Sequence, residues 1–179
     1  MEEHQLIQQL KNEKTRNNAF KELINLYQER LYWHIRRMVL SHDDTDDVLQ
    51  NTFIKIYKNI HNFKEESALF SWMYRIATNE AITFLNKKAK LKGFSSDEMQ
   101  EVMITNLQAD EYFDGDEIQL KLQQAISKLP EKQRLVFNMK YFDDLKYEEI
   151  SEILSTSIGA LKASYHHAVK KIEEYITNH

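Results

Sequence analysis

Three glycines and one proline are all that this chain of 179 residues contains of the two strongest turn formers. Tight β-hairpins need residues that reach positive φ or fix the turn, so so few of them cannot supply the reversals of a many-stranded sheet. The scarcity directs the chain towards long helices with short connections. Its length allows one ordinary domain or two small ones. Cysteine is absent, which removes disulfides, thiolate metal sites and cysteine nucleophiles together and fits a reducing compartment. The first residues, MEEHQ, are acidic where a signal peptide needs positive charge, and no apolar run approaches the roughly 20 residues of a membrane span. A soluble, cytoplasmic protein is expected.

The net charge of −4 argues at first against a nucleic-acid partner, but the charge is unevenly spread. Residues 1–92 carry 15 basic and 12 acidic groups, residues 93–117 carry eight acidic and none basic, and residues 118–179 carry nine basic and eight acidic. The middle segment therefore supplies the whole negative balance. Bounded by Gly93 and Gly115 and rich in Ser, Asn and Asp, it reads as an acidic linker over 93–115 between a module at 1–92 and another at 116–179. Its Val102, Met103, Ile104, Leu107, Tyr112 and Phe113 are many for a plain spacer, so a solvated tether and a docked segment both remain open.

Apolar spacing at three and four predicts a helix over Arg16 to Leu40, through Phe20, Leu23, Ile24, Tyr27, Leu31, Ile35 and Met38, with a shorter helix before it. Ser41 to Asp44 offer capping oxygens and negative charge to a helix expected from Thr45 to Ile60. A polar loop follows, and Ser67 is the expected cap of the next helix. Beyond the linker, Ile118, Leu122, Ala125, Ile126 and Leu129 form one helix, and Pro130 ends it and opens another carrying Leu135, Val136 and Met139.

The segment from Phe63 to Lys90 carries the sharpest functional signal. Stepping about 100° per residue from Trp72, the side chains of Arg75, Asn79, Thr83, Asn86, Lys87 and Lys90 stay within about 60° of it. Phe70, Met73, Ala77, Ala81, Phe84 and Leu85 gather opposite. An aromatic, amides and cations on one face suit an unstacked strand: Trp72 and Phe63 can stack on bases, Asn79 presents a donor and an acceptor, and Lys87, Lys88, Lys90 and Lys92 can meet phosphates. A half-buried Trp72 completing the core and a solvated, dipole-complementing lysine cluster are the plainer readings of the same residues.

The last thirty residues have helix-turn-helix spacing: Tyr147 to Leu154, the polar turn Ser155-Thr156-Ser157, then a helix to about Ile176. Ile158, Leu161, Tyr165, Ala168, Val169, Ile172 and Ile176 share an apolar arc. Gly159, Ala160, Ala163, His167, Lys170 and Lys171 face outward, small residues first and cations after, as a major-groove helix requires. Bundles that bind nothing share the same spacing.

Catalytic chemistry finds no footing. Asp43, Asp44, Asp46 and Asp47 beside His42 do not converge and are better explained as capping, and His166-His167 lacks a third ligand at zinc spacing. No phosphate loop, nucleophile elbow or paired catalytic carboxylates occur. A non-enzyme without metal or cofactor is expected.

Taken in order, these motifs resemble an extracytoplasmic-function sigma factor of the sigma-70 superfamily, from about Phe20 to Ile176. DDTDDVLQNTF at 43–53 is similar to the family's polymerase-binding helix, with Thr45 in place of the usual alanine, and implies that Asp47, Gln50 and Phe53 contact core RNA polymerase. FKEESALFSWMYRIATN at 63–79 resembles the segment that melts and reads the −10 element. The likeness implies a flipped base near the loop from His61 to Ser67, with Trp72 and Asn79 beside the strand; together with the polar face read above, Phe63, Ser67, Trp72, Arg75, Asn79, Lys87 and Lys90 are the expected −10 contacts. LPEKQRLVFNMKYFDDLKYEEISEIL with STSIGALKASYHHAVKKI is similar to the −35-reading domain, implying contacts from Gly159, Ala160, Lys162, Ala163, Ser164, His167 and Lys170. Ser164 and His167 stand where the family often has arginines, so −35 contact is expected more through Lys162, His167 and shape.

The resemblance implies an all-α protein of two small helical domains joined by the acidic linker, the second ending in the helix-turn-helix. Its partners would be core polymerase, promoter DNA and an anti-sigma factor, with no small-molecule substrate. The linker would run through the polymerase interior, its charge occupying a cationic channel until transcript displaces it. The residues alone also permit a helix-turn-helix regulator with an N-terminal sensing or dimerisation bundle, or a helical interaction protein that binds no nucleic acid.

Overall fold

A computed structural model describes residues 2–107, 109, 110, 113 and 115–179. Among the described residues every regular element is helical, with nine α-helices: α1 Glu3–Lys11, α2 Arg16–Val39, α3 His42–Asn59, α4 Leu69–Lys92, α5 Ser96–Leu107, α6 Glu117–Ser127, α7 Glu131–Tyr141, α8 Tyr147–Leu154 and α9 Ile158–Asn178. Tyr112, one of the linker's apolar residues, lies outside the described set.

Local chemistry explains most boundaries. Ser41 Oγ accepts from the Asp44 N–H, and with Asp43 and Asp44 in the first turn α3 starts at His42, earlier than the expected Thr45. Gly93, at φ 69°, ends α4, its N–H donating to Lys90 O at 3.2 Å in a conformation open to glycine at little cost. Asp116 caps α6, Pro130 precedes α7 and Ser157 caps α9. The start of α4 departs from expectation. Ser67 does not cap it; Ala68 occupies the N-cap position, and Glu3 of α1 instead accepts the Leu69 N–H at 3.1 Å.

The principal core joins both ends of the chain. Leu6 and Leu10 of α1, Leu23, Leu31 and Ile35 of α2, Val48 and Ile56 of α3, and Met73, Tyr74, Ala77 and Ala81 of α4 are buried together. Alanines at 77 and 81 let neighbouring helices approach α4 closely. The same cluster continues without a break into Val136 and Met139 of α7, Ile150 and Ile153 of α8, and Leu161 of α9. A second cluster packs Ile126, Leu129, Phe137, Ala168 and Ile172 among α6, α7 and α9.

The acidic linker docks. It forms α5, whose Met99 and Met103 pack on Ala89 of α4 with Leu40 and Leu85 alongside, while Leu107 is also buried. Downstream, Asp110 accepts from Arg36 Nη2 at 3.0 Å. Each buried side chain of this size contributes about 1.5–3 kcal/mol, which a solvated tether would forgo.

Candidate nucleic-acid interface

Helix α4 presents the polar stripe as its wheel requires. Arg75, Asn79, Thr83, Asn86, Lys87 and Lys90 are exposed, while Phe70, Met73, Ala77 and Ala81 are buried on the other side. Trp72 sits at the border, half-buried against the core, with its ring centroid 5.1 Å from that of Phe63 at 40°. Phe63 itself is only 3% exposed. It is the floor beneath Trp72, not an open stacking surface, because an apolar residue at the end of the turn over 60–62 falls between α1 and α4 where water is excluded. Ser67 is half-buried and the intervening Lys64, Glu65 and Glu66 are exposed, so the loop presents its polar residues outward. Lys88, counted with the basic end, pairs with Asp44 at 2.6 Å and ties α4 to α3.

Arg75 has a different engagement from the one expected. Its guanidinium reaches the C-terminus of α8: Nε donates to Ile153 O at 3.3 Å, and Nη2 donates to Glu152 O and to Ser155 Oγ. These carbonyls lack partners within their own helix, and a cation there also complements the helix dipole. The turn of the helix-turn-helix thus lies on the start of the stripe.

A second polar junction reinforces that arrangement. Asp143, between α7 and α8, accepts from Arg37 Nη1 and lies 3.2 Å from His34 Nδ1. His34 is fully enclosed, its Nε2 2.8 Å from Thr78 Oγ1, which in turn donates to Tyr74 O at 2.7 Å. Tyr74 stacks on His34 at 4.2 Å, and burial first, then Asp143, pushes its phenol well above the ordinary range, so the hydroxyl stays protonated and can donate to the carboxylate. One buried acid from the C-terminal half is therefore gripped by α2 and α4.

On α9, Gly159, Lys162, Ala163, His167 and Lys170 are exposed, and Ala160 and Ser164 are half-buried. A Cβ added at Gly159 would meet nothing within 4 Å, so no packing inside the molecule demands glycine there. Lys162 Nζ lies 5.8 Å from the centre of the Tyr147 ring. On α3, Asp47 and Gln50 are exposed as expected for a docking surface, but Phe53 is buried, its ring against Phe20 at 6.1 Å. The apolar residue that shares the outward face is Ile54, 46% exposed. The wheel carried this signal: seven residues from Asp47, Ile54 lies about 20° away, whereas Phe53 lies about 120° away.

Among the described residues no three His, Asp or Glu side chains are placed to hold a metal, and no helix is long and apolar enough to cross a membrane.

Comparison with known proteins bears on the family and the fold. The family model described as Sigma-70 region 2 matches residues 23–91, and that described as Sigma-70, region 4 matches 119–172. The chain is 31% identical over 157 residues to the ECF RNA polymerase sigma factor SigW of Bacillus subtilis, covering 83% of this chain and 84% of that one. It is 28% identical over 172 residues to the RNA polymerase sigma-H factor of Pseudomonas aeruginosa, covering 87% and 85%. In fold it is similar to CnrH, solved in complex with the cytosolic domain of CnrY, with a TM-score of 0.72 at 18% identity over 98% of this chain and 97% of that chain. The sigma factor RpoE of Bartonella quintana, solved with the anti-sigma factor NepR, gives 0.67 at 19% identity over 88% and 96%.

Proposed function

The chain belongs to the extracytoplasmic-function sigma factors, and from that premise we propose how its surfaces divide the work of starting transcription. The protein is a transcription initiation factor that binds core RNA polymerase and directs promoter recognition. In our reading residues 1–92 dock on polymerase and capture the opened −10 strand, 93–115 connect, and 116–179 hold the −35 element. The observation that carries the reading is the exposed stripe of α4: amides and cations follow Trp72 along one face of a helix whose other face is core. Trp72 stacks on a base, with Phe63 supporting it from beneath. Asn79 meets a base edge, and Lys87 and Lys90 hold phosphates. On α9, Gly159 and Ala160 approach the major groove, and Lys162, Ala163, Ser164, His167 and Lys170 follow its wall. On α3, Asp47 and Gln50 meet polymerase, and the exposed Ile54, not the buried Phe53, supplies the apolar contact.

The enclosed Asp143 and the engaged Arg75 support a closed resting form, from which α8 must leave α4 before the strand is captured. An anti-sigma factor that favours the closed form is the expected inhibitor. The protein acts in the cytoplasm, where polymerase and promoter are, and catalyses no reaction itself.

Run-off transcription by core polymerase with and without this chain tests the assignment, and Trp72→Ala tests the stripe. Holoenzyme carrying Trp72→Ala is expected to open the promoter roughly five- to 150-fold more slowly, the loss of one stacking contact of about 1–3 kcal/mol, with closed-complex affinity nearly unchanged. Equal losses in both steps would return Trp72 to a purely structural role.

A further inference from the structure

Helix α1 lies ahead of the residues matched by the family models, yet its polar side chains converge on the loop that precedes α4. Leu6, Ile7 and Leu10 anchor it in the core. From that fixed base Glu3 Oε1 accepts the Leu69 N–H at 3.1 Å, supplying the cap that α4 lacks from its own sequence. Lys11 Nζ donates to Phe63 O at 2.5 Å, lies 3.8 Å from Glu65 Oε1 and stands 5.9 Å from the centre of the Phe63 ring. His4 completes the set. Gln8 Nε2, which can only donate, lies 3.0 Å from His4 Nε2, so His4 Nδ1 carries the proton and donates to Glu65 Oε2 at 3.2 Å.

Both ends of the loop and its middle are thereby fastened to one helix. The middle needs it most, because Glu65 sits at φ 60°, a left-handed conformation that a residue with a Cβ does not adopt without support. Free of its partners the loop would sample other backbone states, and each captured base would have to bear the cost of ordering it. Held in advance, it meets the base already shaped.

We propose that Glu3, His4 and Lys11 are positioning residues for strand capture, α1 acting as a brace that fixes the loop over 63–69 and, through Phe63, the seat of Trp72. The proposal rests on the strand-capture reading of that loop. The Lys11–Glu65 ion pair and the His4–Glu65 hydrogen bond are partly solvated and add little to global stability, so loss of the brace and loss of the fold have different signatures.

The test uses holoenzyme reconstituted with bacterial core polymerase, on the promoter that the wild-type form selects from a duplex library randomised across both elements. Opening is followed by permanganate reactivity of unpaired thymines, and base preference by sequencing transcripts from the library. Lys11→Met keeps the aliphatic stem but removes the donors. It is expected to slow opening about tenfold and to flatten the base preference next to the loop, with closed-complex affinity within about twofold and the melting temperature unchanged, and Lys11→Arg restores most of both. Glu3→Ala should act in the same direction more weakly, while Glu3→Gln, which still accepts from Leu69, stays near wild type. Wild-type opening and base preference in Lys11→Met would overturn the brace, and so would equal losses in closed-complex binding and opening. If the wild-type holoenzyme itself shows no preference at those positions, the strand-capture reading falls first and the brace with it.

Discussion

Gly159 separates what a residue does for its own fold from what it does for a partner. Glycine is disfavoured in a helix relative to alanine, by up to about 0.8–1 kcal/mol in the interior and less in the first turn where Gly159 lies, and the space around this one is open. Gly159→Ala is therefore expected to raise the stability of the free protein slightly while weakening −35 recognition, by about tenfold in affinity if the backbone must approach the groove closely. Unchanged promoter affinity alongside the gain in melting temperature would remove Gly159 from the interface. Neighbouring residues of α3 make the complementary case. Phe53→Ala empties a core site and should destabilise the protein by about 3–5 kcal/mol, so every activity suffers together. Ile54→Ala removes an exposed side chain, leaves the melting temperature within about a degree or two, and lowers affinity for core polymerase in a direct binding assay. Loss of polymerase binding only through unfolding would show that Ile54 is not part of the docking surface.

At the level of elements, the boundaries that were legible in sequence are those whose chemistry is local. Ser41 caps the helix that follows it, Gly93 marks the end of α4, the turn through Ser157 precedes α9, and the outward and inward faces of α4 and α9 follow from a rotation of about 100° per residue. What escaped was set by partners far along the chain. The cap of α4 comes from Glu3, which no local pattern announces. Phe63 looked like an open aromatic because burial by α1 is a tertiary fact. The linker is the intermediate case: its apolar residues raised the option of docking, but charge and composition equally described a tether. Met103, 6% exposed on the underside of α5, decides between undocked and docked forms. Replacing it with aspartate would bury an unpaired carboxylate, a state avoided by releasing the helix. Met103→Asp is expected to speed cleavage by a glutamate-specific protease at Glu98 and Glu101 many-fold, with the unfolding transition of the remaining helices little changed. Cleavage as slow as in the wild type would mean that α5 is held by something other than its methionines.

Across the whole molecule, the continuous core and the two DNA-reading surfaces proposed above set conflicting demands. A compact chain of this length has a radius of gyration of about 16 Å and spans about 40 Å. Promoter elements named for positions −10 and −35 lie about 25 base pairs apart, roughly 85 Å along B-form DNA at about 3.4 Å per step. The closed form therefore cannot touch both, and its helix-turn-helix rests on the stripe that would take the strand. Closure depends on apolar residues such as Ile150 and Ile153, which any two amphipathic modules could bury, and on polar contacts that are specific to this arrangement. Asp143 is the keystone of the latter, because Arg37, His34 and Tyr74 all address one carboxylate that is 5% exposed. Removing one partner of a buried charged cluster costs about 3–5 kcal/mol, since the remaining cation keeps its desolvation without its counter-charge. Opening relieves that cost by returning Arg37 to water, so Asp143→Ala should move the balance towards separated domains by at least about a hundredfold. The absence of cysteine lets two labels be placed cleanly, at Lys58 on α3 and Glu173 on α9, both exposed. Pulsed dipolar spectroscopy is expected to give one short, narrow distance for the wild type and a longer, broad distribution for Asp143→Ala. The same variant should bind duplex −35 DNA more tightly without polymerase, because α8 and the turn before α9 no longer rest on α4. A narrow distance retained in Asp143→Ala, with only a lowered melting temperature, would show that the cluster supports the local fold and that closure is held by the apolar contacts alone.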